Sequence, residues 1–351
     1  MGHGGMDQLV YQDVPKPVAD AGEVLIKVHA CGLNNTDVNT RTAWYSKGTT
    51  EATTGGALEG ADEEDATWGG APISLPRIQG ADVCGTVEAV GAGVDSSLIG
   101  KRVMIETWLR DWDDPMNLDK CGYFGSECDG GFADYTKADH RLVRPIESDL
   151  SHEEIATFAT SYITAENMLN RGQVKEGDVV LIPGASGGVG SALIQLAKRR
   201  GAQVVALASE SKHAMLEPLG ADLLLPRSVP DLKKALKAGL GRDTVSVLAD
   251  VVGGSDWGQW LDVVERGGRL TCAGAIAGPI VEFDLRTFYL RDLVFTGATI
   301  VPHGVFADLV GYIERGEIKP MLAKTFALKD LTKAQQAFID KQHVGNIVVS
   351  V

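Results

Sequence analysis

Apolar positions change their period along the chain. In the first part they alternate with polar ones over short stretches: Glu23-Val24-Leu25-Ile26-Lys27-Val28-His29-Ala30 does so plainly, and Asp82 to Gly91, Gly100 to Ile105 and Gly131 to Thr136 continue the theme. Alternation of this kind predicts strands with one buried face, and together these stretches predict a compact β-barrel-like domain. From about Pro145 to Ala298 the apolar runs are unbroken, with helical spacings between them. Val179-Val180-Leu181-Ile182, Gln203 to Leu207, Asp222 to Leu225, Thr244 to Val252, Arg269 to Ala273 and Leu293 to Gly297 predict six strands buried on both faces. Strands alternating with helices predict a doubly wound parallel sheet. The last fifty or so residues predict helices near 307–315 and 333–341 and a final strand, Asn346 to Ser350. Such a strand most economically completes the first domain's sheet, so the parallel unit is an insertion within the other domain.

The turn after the first parallel strand carries chemistry. It reads Gly184-Ala185-Ser186-Gly187-Gly188-Val189-Gly190 and opens a helix in which Val189, Leu193, Leu196 and Ala197 share a face. Ala185-x-Gly187-x-x-Gly190 is the dinucleotide fingerprint with alanine in its first place. A pyrophosphate sits where a helix N-terminus offers unpaired N–H groups, which requires bare backbone close by. The end of the next strand selects the coenzyme. An acid about twenty residues past the glycines would favour NAD. Here that place holds Ala208-Ser209, with Glu210 one position late and Lys212 following, which favours NADP. Ligands bind past the carboxyl ends of such strands, which nominates Val252-Gly253 and Ala273-Gly274 as further walls and the cleft between the domains as the site.

Composition narrows the partners. With 351 residues, two domains are expected, and a net charge of −14 disfavours nucleic acid and anionic membranes. Five cysteines, an odd number without dense spacing, read as reduced thiols in a cytoplasm. Cys31 and Cys84 read as core thiols rather than nucleophiles. The stretch from Ser46 to Pro76 is acidic and has no basic residue after Lys47. It reads either as a solvated insertion or as a lid docking through Trp68 and Ile73.

Four stretches together carry a family likeness: Cys31-Gly32-Leu33-Asn34-Asn35-Thr36-Asp37, Gln79 to Val87, Asp129 to Tyr135, and the loop from Ala185 to Gly190. In these the chain resembles the medium-chain dehydrogenase/reductase superfamily, and within it the zinc-independent quinone oxidoreductase (zeta-crystallin-like) branch. The resemblance implies an α/β fold in which a Rossmann sheet is inserted in a GroES-like β-barrel domain. The expected parts are 1–144 for the first piece of the catalytic domain, 145–298 for the NADP-binding domain and 299–351 for the return segment. It further implies NADP as coenzyme, a homodimer and a small-molecule substrate. Asn34, Tyr45, Asp37 and Arg41 are placed around the nicotinamide, and Thr164 and Asn346 join the coenzyme set. Zinc alcohol dehydrogenases of this superfamily take a Cys and a His from the segments matching Asn34 and Ala81, and neither residue here can replace those ligands. Cys121 and Cys128 stand where the structural-zinc lobe has four cysteines, so no metal is expected. Without a Lewis acid the accessible reaction is hydride transfer to a quinone or other conjugated carbonyl, whose oxyanion needs only hydrogen-bond donors. An enoyl or enone reductase and a non-enzymatic, crystallin-like NADPH-binding protein are the alternatives. Relatives also carry a strand ahead of the segment matching Gly4-Gly5, so a native first strand is expected upstream.

Overall fold

The computed structural model describes residues 1–54, 56, 60–69 and 72–351. The chain forms two compact units, one comprising 1–49, 53–161 and 302–351, the other 50–52 and 162–301. The units divide at 161/162 and 301/302, not at 144/145 and 298/299. Helix α1 (Asn35–Thr42) lies between barrel strands; the reason for the later boundary lies in the next two helices, α2 (His152–Ile155), whose His152 ring stacks on His29, and α3 (Ala159–Arg171), whose Thr160 bonds to Asp82 at the start of a barrel strand.

In the first unit the strands are β1 (Glu23–Gly32), β2 (Asp82–Val90), β3 (Arg102–Ile105), β4 (Trp108–Leu109), β5 (Gly122–Tyr123), β6 (Tyr135–Asp139) and β7 (Val143–Pro145). In the second they are β8 (Val179–Ile182), β9 (Gln203–Leu207), β10 (Leu223–Leu225), β11 (Val245–Asp250), β12 (Val264–Cys272) and β13 (Val294–Gly297). The chain then returns with β14 (Leu322–Ala327) and β15 (Asn346–Ser350). The barrel sheet runs β14-β15-β1-β2-β3-β7, with β6 paired to the first half of β1. The terminal strand therefore does complete the first unit's sheet, antiparallel to β1 with Cys31 opposite Val349. Its alternating inward residues, among them Val24, Ile26, Val28, Val83, Val87, Val103, Ile105, Ile347 and Val349, form one core. Each such side chain contributes ~1.5–3 kcal/mol of burial.

The strand expected from Gly131 begins only at Tyr135. Gly131 and Phe132 instead donate their amides to the carbonyls of Gly80 and Gln79, which fixes them as a turn against the start of β2. The acidic segment is tied down where it is described. Lys47 N–H donates to Asp65, Asp62 N–H to the Ser46 hydroxyl, and Thr53 to Asn39. Trp68 stands edge-on to Trp108 and donates to Glu127. Glu59, one of this segment's acids, lies outside the described residues.

The second unit is a six-stranded parallel sheet of order β10-β9-β8-β11-β12-β13. The strand order reverses between β8 and β11. β8 is wholly buried, which is why its sequence is an unbroken apolar run. The helix α4 (Gly188–Arg199) follows β8 and buries Leu193, Ile194, Leu196 and Ala197. No helix among the described residues is long and apolar enough to cross a membrane.

Candidate active site

In the parallel unit the nominated loops come together at the carboxyl ends of the strands. Gly184 follows β8 at φ +65°, and a Cβ there would stand 2.7 Å from the Val252 side chain after β11. The left-handed residue of the turn is thus Gly184, one position earlier than the fingerprint places it, and this explains why Ala185 is tolerated in that pattern. Ala185 is fully buried and donates its amide to Leu207. Gly187 caps α4, is exposed, and a Cβ on it would meet nothing nearer than the Gly184 carbonyl at 3.6 Å. Ser186, Gly188 and Val189 are half-buried beside it. Gly190 is the opposite case, with a Cβ falling 2.4 Å from the Gly184 carbonyl and 2.6 Å from Ala185 Cα. The helix therefore packs on the strand end through Gly190 and leaves open backbone at Gly187, the cradle a pyrophosphate needs.

Asp250, which the sequence did not single out, organises the other two walls. Its carboxylate accepts from Val252 N–H at 2.7 Å and from Gly253 N–H at 3.2 Å, while its carbonyl accepts from Ala273 N–H. Val252, Gly253, Ala273 and Gly274 are thereby held side by side. Burial raises the Asp250 pKa, against the pull of those amide bonds.

Ser209 is exposed and its side chain makes no capping bond to the following turn. Lys212 is half-buried; burial lowers its pKa first, and the charge of Arg227 lowers it further. Arg227, just past β10, was invisible to the sequence reading because the two cations are distant along the chain. A hydroxyl and two cations at the ends of neighbouring strands fit an anion better than a bare ribose. Thr164 is half-buried in α3, and no polar contact defines its role.

The barrel unit gathers the remaining candidates at one end of its sheet. Leu33 N–H donates to the Ile347 carbonyl, which sets Asn34 beside Asn346. Asn346 is 3% exposed and its side-chain oxygen accepts from the Ser161 hydroxyl at 2.8 Å. Asn34 is 6% exposed. The Asn346 amide nitrogen Nδ2 is buried without a hydrogen-bond partner, while the Asn34 amide lies against the Asp82 carboxyl. Buried amide donors without acceptors are costly, and in a native fold they call for an explanation such as a ligand.

Asp37 is a clamp. It accepts from Asn34 N–H at 2.8 Å and Gly80 N–H at 3.2 Å, joining the start of α1 to the start of β2. Burial pushes its pKa up to about 7, with Asp82 contributing and the two amides opposing. Tyr45 is held by Thr36 and Asn39, and burial raises its phenol. Arg41 has a different occupation: it is buried and donates to Gly4 carbonyl at 2.6 Å and Gln335 at 3.2 Å. Those bonds fasten the first residues and the helix Leu331–Ile339 to α1, which is scaffold work.

Three residues that the sequence did not nominate complete this cluster. Asp82, 1% exposed, accepts from Thr160 N–H at 2.9 Å and from the Thr160 hydroxyl, which in turn pairs with the Tyr123 hydroxyl at 2.6 Å. A carboxylate at the first position of a buried strand was the one available signal. The thiols stay inert. His152 does approach Cys84, at 3.4 Å, although 68 residues separate them, but burial drives the Cys84 thiol up to about 12 and holds it protonated. Among the described residues no group of three potential ligands could hold a metal, and Ala81 has no donor atom at all.

Comparison with known proteins agrees with this geometry. The alcohol dehydrogenase GroES-like domain matches residues 20–148 and the zinc-binding dehydrogenase domain matches residues 188–315. A solved structure from Sinorhizobium meliloti 1021, provisionally named an alcohol dehydrogenase, is 41% identical with a TM-score of 0.90, over 99% of this chain and 94% of that one. The chain belongs to the medium-chain dehydrogenase/reductase superfamily. The quinone oxidoreductase of Sus scrofa is 27% identical over 96% of this chain and 91% of its own length. A crotonyl-CoA carboxylase/reductase solved in complex with NADP is 26% identical with a TM-score of 0.82, over 96% and 89%. The protein is an oxidoreductase, and its zeta-crystallin-like affinity rests on the quinone oxidoreductases.

Proposed function

We propose that this protein is a zinc-independent reductase that uses NADPH to reduce a quinone or another conjugated carbonyl compound, as a homodimer in the cytoplasm. The observation that carries the reading is the buried amide of Asn34, set against the Asp82 carboxyl where zinc-dependent members place a thiolate, with an alanine where they place an imidazole. An amide donor cannot ionise an alcohol, but it can hold an oxyanion. When bound, the coenzyme supplies hydride. Gly187 gives room for its pyrophosphate, Ser209, Lys212 and Arg227 suit a 2'-phosphate, and the Asn346 amide is an open donor. Asp37 keeps Asn34 and Gly80 in register, and Tyr45 offers a phenol from the same helix region.

The exposed carboxylates of Asp62, Glu63 and Glu64 disfavour the phosphates of an acyl-CoA at this unit. The homodimer is supported by β13, an edge strand whose Val294 is 52% exposed next to Leu285, Tyr289 and Leu290, each more than half exposed. An open apolar edge favours pairing with its own copy. Five free thiols support the cytoplasm.

The test is NADPH oxidation against a panel of 1,4-benzoquinones, enones, enoyl-CoA esters and, in reverse, ethanol with NADP, before and after chelation. Quinones or enones should turn over at a rate indifferent to the chelator, and ethanol should not react. Asn34→Ala should lower kcat ~10- to 1,000-fold with the NADPH Kd unchanged. Stoichiometric zinc whose removal abolishes activity would overturn the reading.

A further inference from the structure

A hydride leaves the reduced acceptor one proton short, and none of the residues assigned so far supplies it. Asn34 can only donate a hydrogen bond, Tyr45 is a phenol raised above its ordinary value, and Arg41 is engaged by the scaffold. The Asp82 carboxyl lies against the Asn34 amide, and Thr160 and Tyr123 extend from it as an unbroken run of hydroxyls.

We propose that Asp82 is the acid of the reaction, giving its proton to the oxygen held by Asn34, and that the Thr160 and Tyr123 hydroxyls return it. The balance is simple and rests on the reductase reading above. Hydride adds to carbon with its electron pair, the conjugated π system shifts, and the negative charge ends on the carbonyl oxygen. An O–H bond forms there as the Asp82 O–H bond breaks. The carboxylate then takes a proton from Thr160 Oγ1, which takes one from Tyr123 Oη, and a solvent proton restores the phenol. The sum is one hydride and one proton per acceptor.

The surroundings suit this duty. Asp82 receives Thr160 N–H at 2.9 Å as well as the hydroxyl, so its carboxylate form is stabilised after each transfer. Burial nevertheless raises its pKa to about 6, with the Thr160 and Asn34 bonds opposing. An acid works best when its pKa lies near the working pH. The titratable groups facing it are Asp37 from α1, Cys31 from β1 and Tyr123 from β5, all buried. Of these only Asp37 titrates close by.

The experiment compares Asp82→Asn, Thr160→Val and Asp37→Asn with the native protein, using NADPH and the best acceptor of the panel. Native kcat should be level below about pH 6 and fall as pH rises through it, because the acid is then deprotonated. Asp82→Asn keeps an acceptor for Thr160 N–H, so melting temperature and KM should hold, while kcat drops ~100-fold and the limb disappears. Thr160→Val should keep the limb but enlarge the solvent deuterium isotope effect, as proton return becomes slow. Asp37→Asn, whatever its rate, should retain the limb. A limb that survives in Asp82→Asn, or that vanishes with Asp37, overturns the assignment. A second readout needs no turnover. In the coenzyme-free protein the infrared band of a protonated carboxyl should include a component titrating near pH 6 that is missing from Asp82→Asn, where only the Asp37 component near pH 7 remains. If no acceptor reacts, the reductase reading fails; if the component near pH 6 is absent from the native protein, the acid fails on its own.

Discussion

Gly187 and Gly190 stand three residues apart in one turn, yet alanine at the two should do opposite things. At Gly190 the new Cβ would fall 2.4 Å from the Gly184 carbonyl oxygen, 2.6 Å from Ala185 Cα and 2.8 Å from the Ala185 carbonyl carbon. All three are backbone, so nothing can swing aside, and the start of α4 must back away from β8 by about an ångström. Overpacking of this kind costs ~1–3 kcal/mol. In a unit of this size that is a melting temperature lower by ~3–12 °C. At Gly187 φ is −77°, which alanine adopts freely, and the nearest atom is 3.6 Å away. A weaker cap loses about 0.5–1 kcal/mol, and the stiffer unfolded chain returns about 0.4–1 kcal/mol, so stability should hardly move. The methyl group, however, would occupy the approach of the pyrophosphate, and the NADPH Kd should rise ~10- to 100-fold, or ~1.4–2.8 kcal/mol. Thermal melts and fluorescence titration of NADPH on both variants decide the matter. If Gly187→Ala binds NADPH as tightly as the native protein, the loop is an ordinary strand-to-helix turn and the coenzyme argument collapses. An unchanged melting temperature in Gly190→Ala would refute the packing argument separately.

Lys212→Ala should raise the KM for NADPH ~5- to 50-fold and leave NADH nearly untouched, since a partly exposed charge-assisted contact carries ~1–2 kcal/mol; equal losses with both coenzymes would remove the NADP assignment. Val294→Lys, on the open edge of the parallel sheet, should shift the protein from dimer to monomer in sedimentation with its melting transition otherwise intact, and a native protein that sediments as a monomer would refute the dimer. Asp37 gives a pH signature: its folded pKa of about 7 exceeds its unfolded value of about 3.9, so the stability tied to its proton is full below the lower value and is lost as pH rises through the upper. The native melting temperature should therefore fall between pH 5 and 8 more steeply than that of Asp37→Asn, and parallel profiles would contradict the burial argument.

What the sequence revealed followed from where backbone and periodicity constrain residue choice. β8, β9 and β11 were readable because a strand covered on both faces admits only apolar residues. The glycine turn was readable because close approach of backbone leaves no room for a side chain, although the left-handed position proved to be Gly184 and not the place Ala185 fills. Other features depend on contacts between distant residues. The start of β6 moved to Tyr135 because Gly131 and Phe132 bond to Gly80 and Gln79, some fifty residues earlier. Arg41 looked like a site residue from its place in the motif, but its partners are Gly4 and Gln335. Arg227 beside Lys212, His152 beside Cys84 and Thr160 beside Asp82 are likewise pairings that only the fold makes.

The exchange of Cys and His for Asn34 and Ala81 changes more than a ligand set. A dication in this place would hold nearby carboxyls ionised, because its charge lowers their pKa far more than burial raises it. With an amide and a methyl group there, no positive charge among the described residues acts on Asp37 or Asp82, and burial is the leading influence on both. Burial carries Asp37 up to about 7 and Asp82 up to about 6. On the zinc-independent reading proposed above, the exchange that removes a Lewis acid also leaves protons on these carboxyls. On that reading, a site built this way is poor at drawing a proton off an alcohol and well suited to giving one to an oxyanion.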